Sequence, residues 1–566
     1  MPSIPVSRKQ RLLARKASLW NERSSWDSIW KDISSYQQPR TGRFIATDRN
    51  RGDKRSNSIL DNTATYAART LAAGLMSGMT SPARPWFRLE IEDADLMESG
   101  AVRAWLHDTA KLIRRVFASS NTYRVLHSMY GELGLFGTAC SMVLPDFENV
   151  IHHYPLTIGE YALATNAQGA VDTVVREFQM TVEQMVEQFG LEACSASVRN
   201  LYTNGSYSAW IDVLHIVQPR RERDIHKRDA RNMQYESIYL EPGRGDASEQ
   251  FLRESGFRRF PALVPRWIIT GNDIYGTSPG MDCQGDVRQL QHQQLRKGQG
   301  IDYQVNPPLQ VPTRYKEAER ARLPGGVFYV DAQGSTGAGV RSAFEVRLDM
   351  QHLLLDIQDV RDRVRQAYHA DIFLMLANDT RSGTTATEIA ERHEEKLLML
   401  GPVLERLHNE LLSPLIDITF EHCVAADILP DIPPELQGME LKVEFISVLA
   451  QAQRAVATQG MDRMLAAVGQ LTALSPAIVD KVDFDQVVDE YADAYGVSPK
   501  IIVPDDQVAQ IRAQREAAQQ AQQAAAAAPA AVDTARAASE IDTDNLRDLM
   551  NQFTGYGTPS APYVDG

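Results

Sequence analysis

The sequence predicts a mainly helical α+β protein, and three observations carry that prediction. Apolar residues recur at three- and four-residue steps over long stretches of the 566-residue chain. Period-two alternation is concentrated in a block between about residues 138 and 270. The regular strand–helix alternation of a doubly wound sheet is missing. At 43% hydrophobic and 23% charged, the chain has globular composition and is long enough for several domains.

The first helix is expected over 7–36, where Leu12, Leu19, Trp26, Trp30 and Ile33 share a face. Its start is basic (Arg8, Lys9, Arg11, Arg15, Lys16), either a solvated helix end or an arm that meets a partner chain or nucleic acid. A basic loop, 40–55, leads to a helix over about 58–79. There the small residues around Gly74 and Gly78 point to a close helix contact; Asp61 and Arg69 in the same segment argue against a membrane dimer motif. Pro82 and Pro85 end it, and Trp86–Ile91 alternates like a strand.

Helices at 99–119 and 124–136 precede strands at 138–145, 150–155, 160–165 and 170–178, the last two joined by the turn Asn166–Gly169. Thr181 opens a helical stretch that closes near Ser206, and Trp210–Val217 reads as a strand. Residues 219–229, PRRERDIHKRD, are a charge run without periodicity and therefore a loop. Strands at 235–240 and 261–269 complete a β-rich segment, 210–270, expected as an insertion entered and left near the same place.

Residues 272–312 combine a Gly/Pro turn, Tyr275–Gly280, with a helix from Met281 to Lys297 and a Pro-rich exit, Asn306–Pro312, that cannot be helical. In that helix only Met281, Val287, Leu290 and Leu295 are large and apolar, too few for an ordinary core face. A helix so polar bridges solvent, packs against copies of itself or is unstable alone, and this one is expected to line something wet. After a short strand at 326–330 and a Gly/Ser-rich run at 333–339, a long amphipathic helix is expected over 343–376. A polar break at 378–383 separates it from a second long helix, opened by the capping box Thr385–Glu388 and running to about Ala426, with Pro402 and Pro414 as bends. The Arg and Asp residues of 356–365 read as a solvated face or as contacts between subunits. Residues 430–438 are a linker; helices follow at about 447–470, 484–495 and 507–528, and the low-complexity tail beyond Pro529 is expected to be disordered.

Net charge is −14, which argues against a protein that grips nucleic acid by neutralising phosphates, though not against one past which DNA slides. Four scattered cysteines without a C-x-x-C pair suit free thiols in a reducing compartment. No apolar run approaches the ~18–20 residues of a membrane span, and the N-terminus lacks the apolar core of a signal peptide. Phosphate loops, dinucleotide fingerprints, zinc-protease and calcium motifs are all missing, so no cofactor is expected. Gly276-Thr-Ser278-Pro-Gly280 matches the serine-hydrolase elbow, but Pro279 biases Ser278 towards extended backbone, so a turn is the stronger reading. His152 and His153, neighbours on a strand, point to opposite faces and do not share a metal.

An ordered set of segments carries a family resemblance: Asn62-Thr-Ala, Pro85-Trp-Phe87, Arg253–Phe257, Trp267, Tyr275–Pro279, Asn306-Pro-Pro308, Thr385–Glu388, Leu400-Gly-Pro402 and Glu410–Ile416. From about 10 to 525 the chain resembles the head-to-tail connector, or portal, proteins of short-tailed bacteriophages. The resemblance implies a non-enzymatic ring, usually a dodecamer, at one capsid vertex of the virion, assembled in the host cytoplasm without membrane insertion. Double-stranded DNA would pass through it, terminase and then tail adaptor or nozzle proteins would dock on it, and capsid and scaffolding proteins would surround it. The acidity of the chain would keep DNA from sticking.

The implied parts are an N-terminal wing (1–180), a stem helix region (181–209), a β-rich clip (210–271), a second stem helix (272–300), wing strands, channel-wall helices and a tunnel loop (301–428), a crown (429–528) and the tail (529–566). Arg296, Lys297, Asn378, Arg381 and Ser382 are the candidates to face DNA, with 378–384 as tunnel loop and 333–339 as its alternative. Arg220, Arg221, Arg223, Lys227, Arg228 and Arg244 are the candidates to dock motor and tail. The competing readings are another head–tail ring or adaptor, and a hydrolase using Ser278.

Overall fold

The computed structural model describes residues 7–47, 52, 57–91, 93, 96, 99–227, 229–243, 250–312, 327–330, 341–342, 349–373, 400–436, 441–445, 460–471, 481–495, 501–503 and 507–522. The chain forms two compact units, one of residues 1–92 and 105–461, the other of 93–104 and 462–566.

The larger unit begins with α1 (Arg8–Tyr36), opened by a capping box in which Ser7 and Gln10 satisfy each other's backbone N–H groups. Leu12, Leu19, Trp30 and Ile33 are buried as their spacing predicts. So is Arg23, only 1% exposed, whose guanidinium donates to the carbonyls of Gly159 and Tyr161 at 2.8 Å each. A helix whose stripe reads as apolar is thus pinned to a sheet by a buried cation. α2 (Thr63–Met79) and two further helices, α3 (Gly100–Ser119) and α4 (Thr122–Phe136), form the helical core beside it. Gly74 serves the close contact expected of it: a Cβ there would lie 2.1 Å from the Phe373 ring, whereas Gly78 faces open space.

Four sheets are described. β1 (Phe87–Ile91) pairs antiparallel with β13 (Leu441–Phe445), a long-range pairing invisible to local pattern. β2 (Cys140–Asp146) is flanked by β3 (Val150–Leu156) and by the two-residue β9 (Ala262–Leu263). β4 (Tyr161–Thr165), β5 (Val171–Thr181), β6 (Trp210–Pro219), β7 (Tyr235–Leu240) and β8 (Arg253–Phe257) make one antiparallel sheet in sequence order. One face lies under α1 through Leu214, Ile216, Ile238 and Leu240; fully burying such side chains contributes about 1.5–3 kcal/mol each.

That sheet corrects two expectations. Residues 210–271 are not a separate insertion: β6 is hydrogen-bonded along its length to β5 on one side and β7 on the other, so the strands at 161–181 and 210–257 fold as one body. Residues 181–209 are not one long helix but two eight-residue helices, α5 (Val182–Phe189) and α6 (Ala196–Thr203), stopped by Gly190 at φ +82°. They pack on the same sheet through Val182, Met185 and Val198.

α7 (Pro279–Asp282) leads into α8 (Gln284–Val305), longer than expected at 22 residues, or about 33 Å. β10 (Leu309–Pro312), β11 (Val327–Val330) and β12 (Arg341–Ser342) form a small sheet, β10 central. The chain then returns in α9 (Met350–Ala367), capped by Asp349, whose carboxylate accepts the N–H groups of Gln351 and His352. α9 is shorter than the 343–376 expected, because His369 turns to φ +52° and closes it. The tunnel-loop candidates 378–384 and 333–339, the Thr385 capping box and the tail beyond 528 lie outside the described residues.

α10 (Gly401–Leu407) starts with Pro402 in its first turn, where a missing N–H costs nothing. It continues through a π-turn, His408–Leu412, into α11 (Ser413–Ala425). Pro414 explains the π-turn: it has no N–H to give residue 410, and the helix answers with a wider bond from Ser413 N–H to the His408 carbonyl. α12 (460–471, in the smaller unit from residue 462), α13 (Phe484–Tyr495) and α14 (507–522) fall where helices were expected, the parts 447–459 and 523–528 lying outside the described residues; Arg512 reaches both carboxylate oxygens of Asp485 at 2.6 Å.

Candidate functional site

The Tyr275–Gly280 turn is where α8 leaves the body of the larger unit. Tyr275 is buried edge-on against Trp30, and its hydroxyl accepts the N–H of Leu163 at 3.1 Å. Gly276 passes so close to Gly137 that a Cβ on Gly276 would meet the Gly137 carbonyl oxygen at 2.4 Å. Ser278 is fully buried; its hydroxyl donates to the Leu135 carbonyl at 2.8 Å and accepts from Met281 N–H at 3.1 Å. It is a helix N-cap followed by proline at N1, with no histidine partner among the described residues and no exposed surface for a substrate to reach. The hydrolase reading therefore fails on geometry.

Beyond the turn, α8 and α9 pack as an antiparallel pair. Arg363 reaches Asp286 at 3.0 Å near the base, and Gln293 bonds Asp356 further out. Between them Leu290, Ile357 and Val360 form a narrow apolar seam. Of the four scattered apolar residues of the polar helix, Leu290 supplies this seam; Val287 is also buried, whereas Leu295 is exposed.

Polar groups, not apolar ones, hold the base of the pair. Asp61, just before α2, accepts both Nε and Nη2 of Arg361 at 2.9 and 2.7 Å and the Gln294 amide at 3.0 Å. Gln291 accepts the N–H groups of Leu60 and Asp61 at 2.6 and 2.9 Å and donates back to the Asp61 carbonyl. Burial pushes the Asp61 carboxyl up, but the Thr63 and Arg361 bonds outweigh it and hold it below its usual value. Gln37, at the end of α1, donates to Gly280 O and Gln284 Oε1 at 2.9 and 2.7 Å and accepts from the Tyr368 hydroxyl. The outer half of the pair is different: Leu295, Ile301, Val305, Leu354 and Leu355 are exposed, Val305 to 80% and Leu355 to 69%.

The candidate residues separate accordingly. Arg296 is exposed on the outer half of α8, bonded to Gln299 at 3.0 Å, and Lys297 is half-buried beside it. Asn378, Arg381 and Ser382 lie outside the described residues, as do Arg228 and Arg244. Arg220 is committed inside the larger unit, to Glu254 at 3.3 Å and the Ser255 carbonyl at 2.9 Å. Lys227 pairs with Asp224 at 3.4 Å, whereas Arg221 and Arg223 are exposed. His152 and His153 do point apart, and no cluster of metal-ligating side chains is found among the described residues. No described helix is long and apolar enough to cross a membrane. Sequence reading missed Asp61, Gln37, Arg23 and the Arg266–Glu410 pair, because each acts through a partner tens to hundreds of residues away.

The family model for bacteriophage head to tail connecting proteins matches residues 9–503, so the chain belongs to that family. Membership makes it a structural portal-type connector of the phage particle and not an enzyme. It is 55% identical over 548 residues to a "Probable portal protein" of Bordetella phage BPP-1, covering 96% of this chain and 98% of that one. It is 44% identical over 552 residues to the "Portal protein" of Salmonella phage epsilon15, covering 97% and 99%. A solved chain from the neck of an empty GTA particle covers 76% of this chain and 92% of its own at 12% identity and TM-score 0.35, too loose a superposition to bear on the arrangement of this one.

Proposed function

We propose that the chain is the repeating subunit of a ring at a single vertex of the phage head. Double-stranded DNA passes through the ring during packaging and ejection, and a terminase motor and then tail proteins dock on it. The observation that carries the ring is the outer half of the α8–α9 pair. Exposed leucine, isoleucine and valine on both helices are covered if neighbouring copies stand side by side, and head-to-tail contacts of that kind close into rings. The copy number expected from the family resemblance is twelve, with capsid and scaffolding proteins as the surrounding partners and assembly in the host cytoplasm.

The same observation moves the assignment of parts. α8 and α9, joined through the small β10–β12 sheet, form a hairpin that serves as stem, with that sheet as the clip that meets motor and tail. The five-stranded sheet belongs with the wing, since it shares a core with α1. Arg296 and Lys297 then lie on a stem helix, where they face passing DNA.

Electron microscopy and solution mass of the purified chain test the reading, beside the double variant Ile301→Asp/Leu355→Asp. Rings from the parent and folded monomers from the variant are expected. A monomeric parent, or rings from the variant, overturns the hairpin as the ring contact.

A further inference from the structure

The structure joins two basic runs that lie some two hundred residues apart in sequence. The first turns of α1 stand beside the loop between β6 and β7, and a cleft of about 660 Å³ opens between them. Arg8, Arg11 and Arg15 line one wall and Arg220 and Arg221 the other.

The floor is built with some care. The register between β4 and β5 slips at Ala164/Thr165, leaving Asp172 as an extra residue between Val171, which pairs Thr165, and Thr173, which pairs Ala164. Such a bulge re-aims side chains, and Asp172 and Thr173 line the cleft. Beside them Gln218 donates to Glu236 at 2.6 Å.

Two of the arginines are spoken for. Arg8 pairs with Glu236 at 2.7 Å and Glu254 at 2.8 Å, and Arg220 shares Glu254 at 3.3 Å. Burial pushes the Glu254 carboxyl up, and the bonds to Arg8 and Arg220 more than offset this, so it stays ionised. This half-buried network fixes the two walls relative to each other. Arg11, Arg15 and Arg221 have no carboxylate within ion-pair distance among the described residues and are exposed. A rigid cleft therefore presents three unmatched guanidinium groups whose planar forks suit carboxylates or phosphates.

We propose that this cleft docks an acidic, extended segment of a partner protein, its carboxylates paired to Arg11, Arg15 and Arg221. The volume lies in the range of ligand pockets, about 300–1,000 Å³, and suits a single extended strand of peptide. A DNA duplex, whose grooves alone are about 12 and 6 Å wide, is too large to enter it. The lining also carries acids: Glu236 is held by Arg8 and Gln218, which leaves Asp172 and Glu222 against Arg11, Arg15 and Arg221, a small positive excess that suits a segment with a few spaced carboxylates better than a continuous phosphodiester backbone. The site rests on a different observation from the ring reading: it lies at the first turns of α1 and on the five-stranded sheet, and none of its lining residues belongs to α8 or α9.

The test uses the full-length chain and a short fluorescein-labelled peptide of alternating glutamate and glycine, followed by anisotropy at low and physiological salt. The triple variant Arg11→Glu/Arg15→Glu/Arg221→Glu alters only exposed side chains without internal partners; thermal unfolding and ring formation report its integrity. Binding by the parent, weakened about tenfold or more in the triple variant (about 1.4 kcal/mol) and not displaced by duplex DNA, is expected. No binding by the parent, equal binding by both proteins, or displacement of the peptide by the duplex overturns the proposal. Failure there with intact rings leaves the portal reading standing, and failure of ring formation with peptide binding kept leaves this one standing.

Discussion

Arg266 and Glu410 form a three-point bridge: Arg266 Nη2 meets Glu410 Oε1 at 2.6 Å, while its Nε and its own backbone N–H both reach Oε2, at 3.2 and 2.9 Å. Arg266, 3% exposed, lies three residues past the end of β9, and Glu410 sits in the π-turn imposed by Pro414. The pair ties the β2–β9 edge to the α10–α11 rod. A buried charge left without its partner costs about 3–5 kcal/mol. Glu410→Ala is expected to lower stability by roughly 3 kcal/mol or more, read as an earlier unfolding midpoint. Arg266→Met/Glu410→Leu is expected to lose much less, since the one cation it leaves unpaired, Arg406 (3.3 Å from Glu410), is partly exposed and can be solvated; equal losses would mean that packing, not charge, holds this joint.

Gly276 and Gly137 set a second constraint. Gly137 stands at φ +76°, and a Cβ on it would lie 2.1 Å from the Gly276 carbonyl oxygen. Backbone blocks both positions, so no side-chain rotation relieves the clash. Gly276→Ala and Gly137→Ala are each expected to cost about 3 kcal/mol or more, at the upper end of overpacking effects. Gly78→Ala, within α2 and facing open space, serves as the clash-free control in the same unfolding assay and should be neutral to slightly stabilising.

Ser278→Ala separates a cap from a nucleophile. Loss of the cap and of the bond to Leu135 is expected to cost about 1–2 kcal/mol. Ester hydrolysis should be absent from parent and variant alike; activity in the parent that vanished in the variant would reinstate the serine as a catalytic group.

Acid should loosen the sheet around β3. His153 is buried with neither ring nitrogen bonded, and that burial, helped by neighbouring His152, lowers its pKa to about 4. The unfolded chain, titrating near 6.5, binds the proton first as pH falls. Stability from this residue is thus complete above about pH 6.5 and lost progressively down to about pH 4, some 3 kcal/mol over the interval. His215, also buried and lowered, acts in the same direction. His153→Met should flatten the pH dependence of the unfolding midpoint between those values; an unchanged slope would assign the acid sensitivity elsewhere.

On the proposed stem, Arg296→Glu/Lys297→Glu should leave ring assembly intact and reduce the amount of DNA packaged, because the exchange places carboxylates beside passing phosphates. Full packaging by the double variant would remove these two residues from the channel wall.

Local pattern in the sequence determined most of the elements. The Leu12–Ile33 stripe, the alternation through 140–181 and the Asn166–Gly169 turn need only near neighbours, so periodicity and turn chemistry suffice to find them. The polarity of the 281–297 segment was likewise legible, and it marked a helix that an ordinary core would not hold. Tertiary structure decided where those elements go. Only the pairing of β5 with β6 shows that 210–257 belongs to the body rather than to an insertion, because strand partners are chosen by packing across distant sequence. Only the fold brings Asp61 to Arg361, Gln37 to Tyr368 and Arg266 to Glu410. A lone charge or amide in a sequence looks the same whether solvated or buried; its partner, three hundred residues away in the case of Asp61, makes the difference.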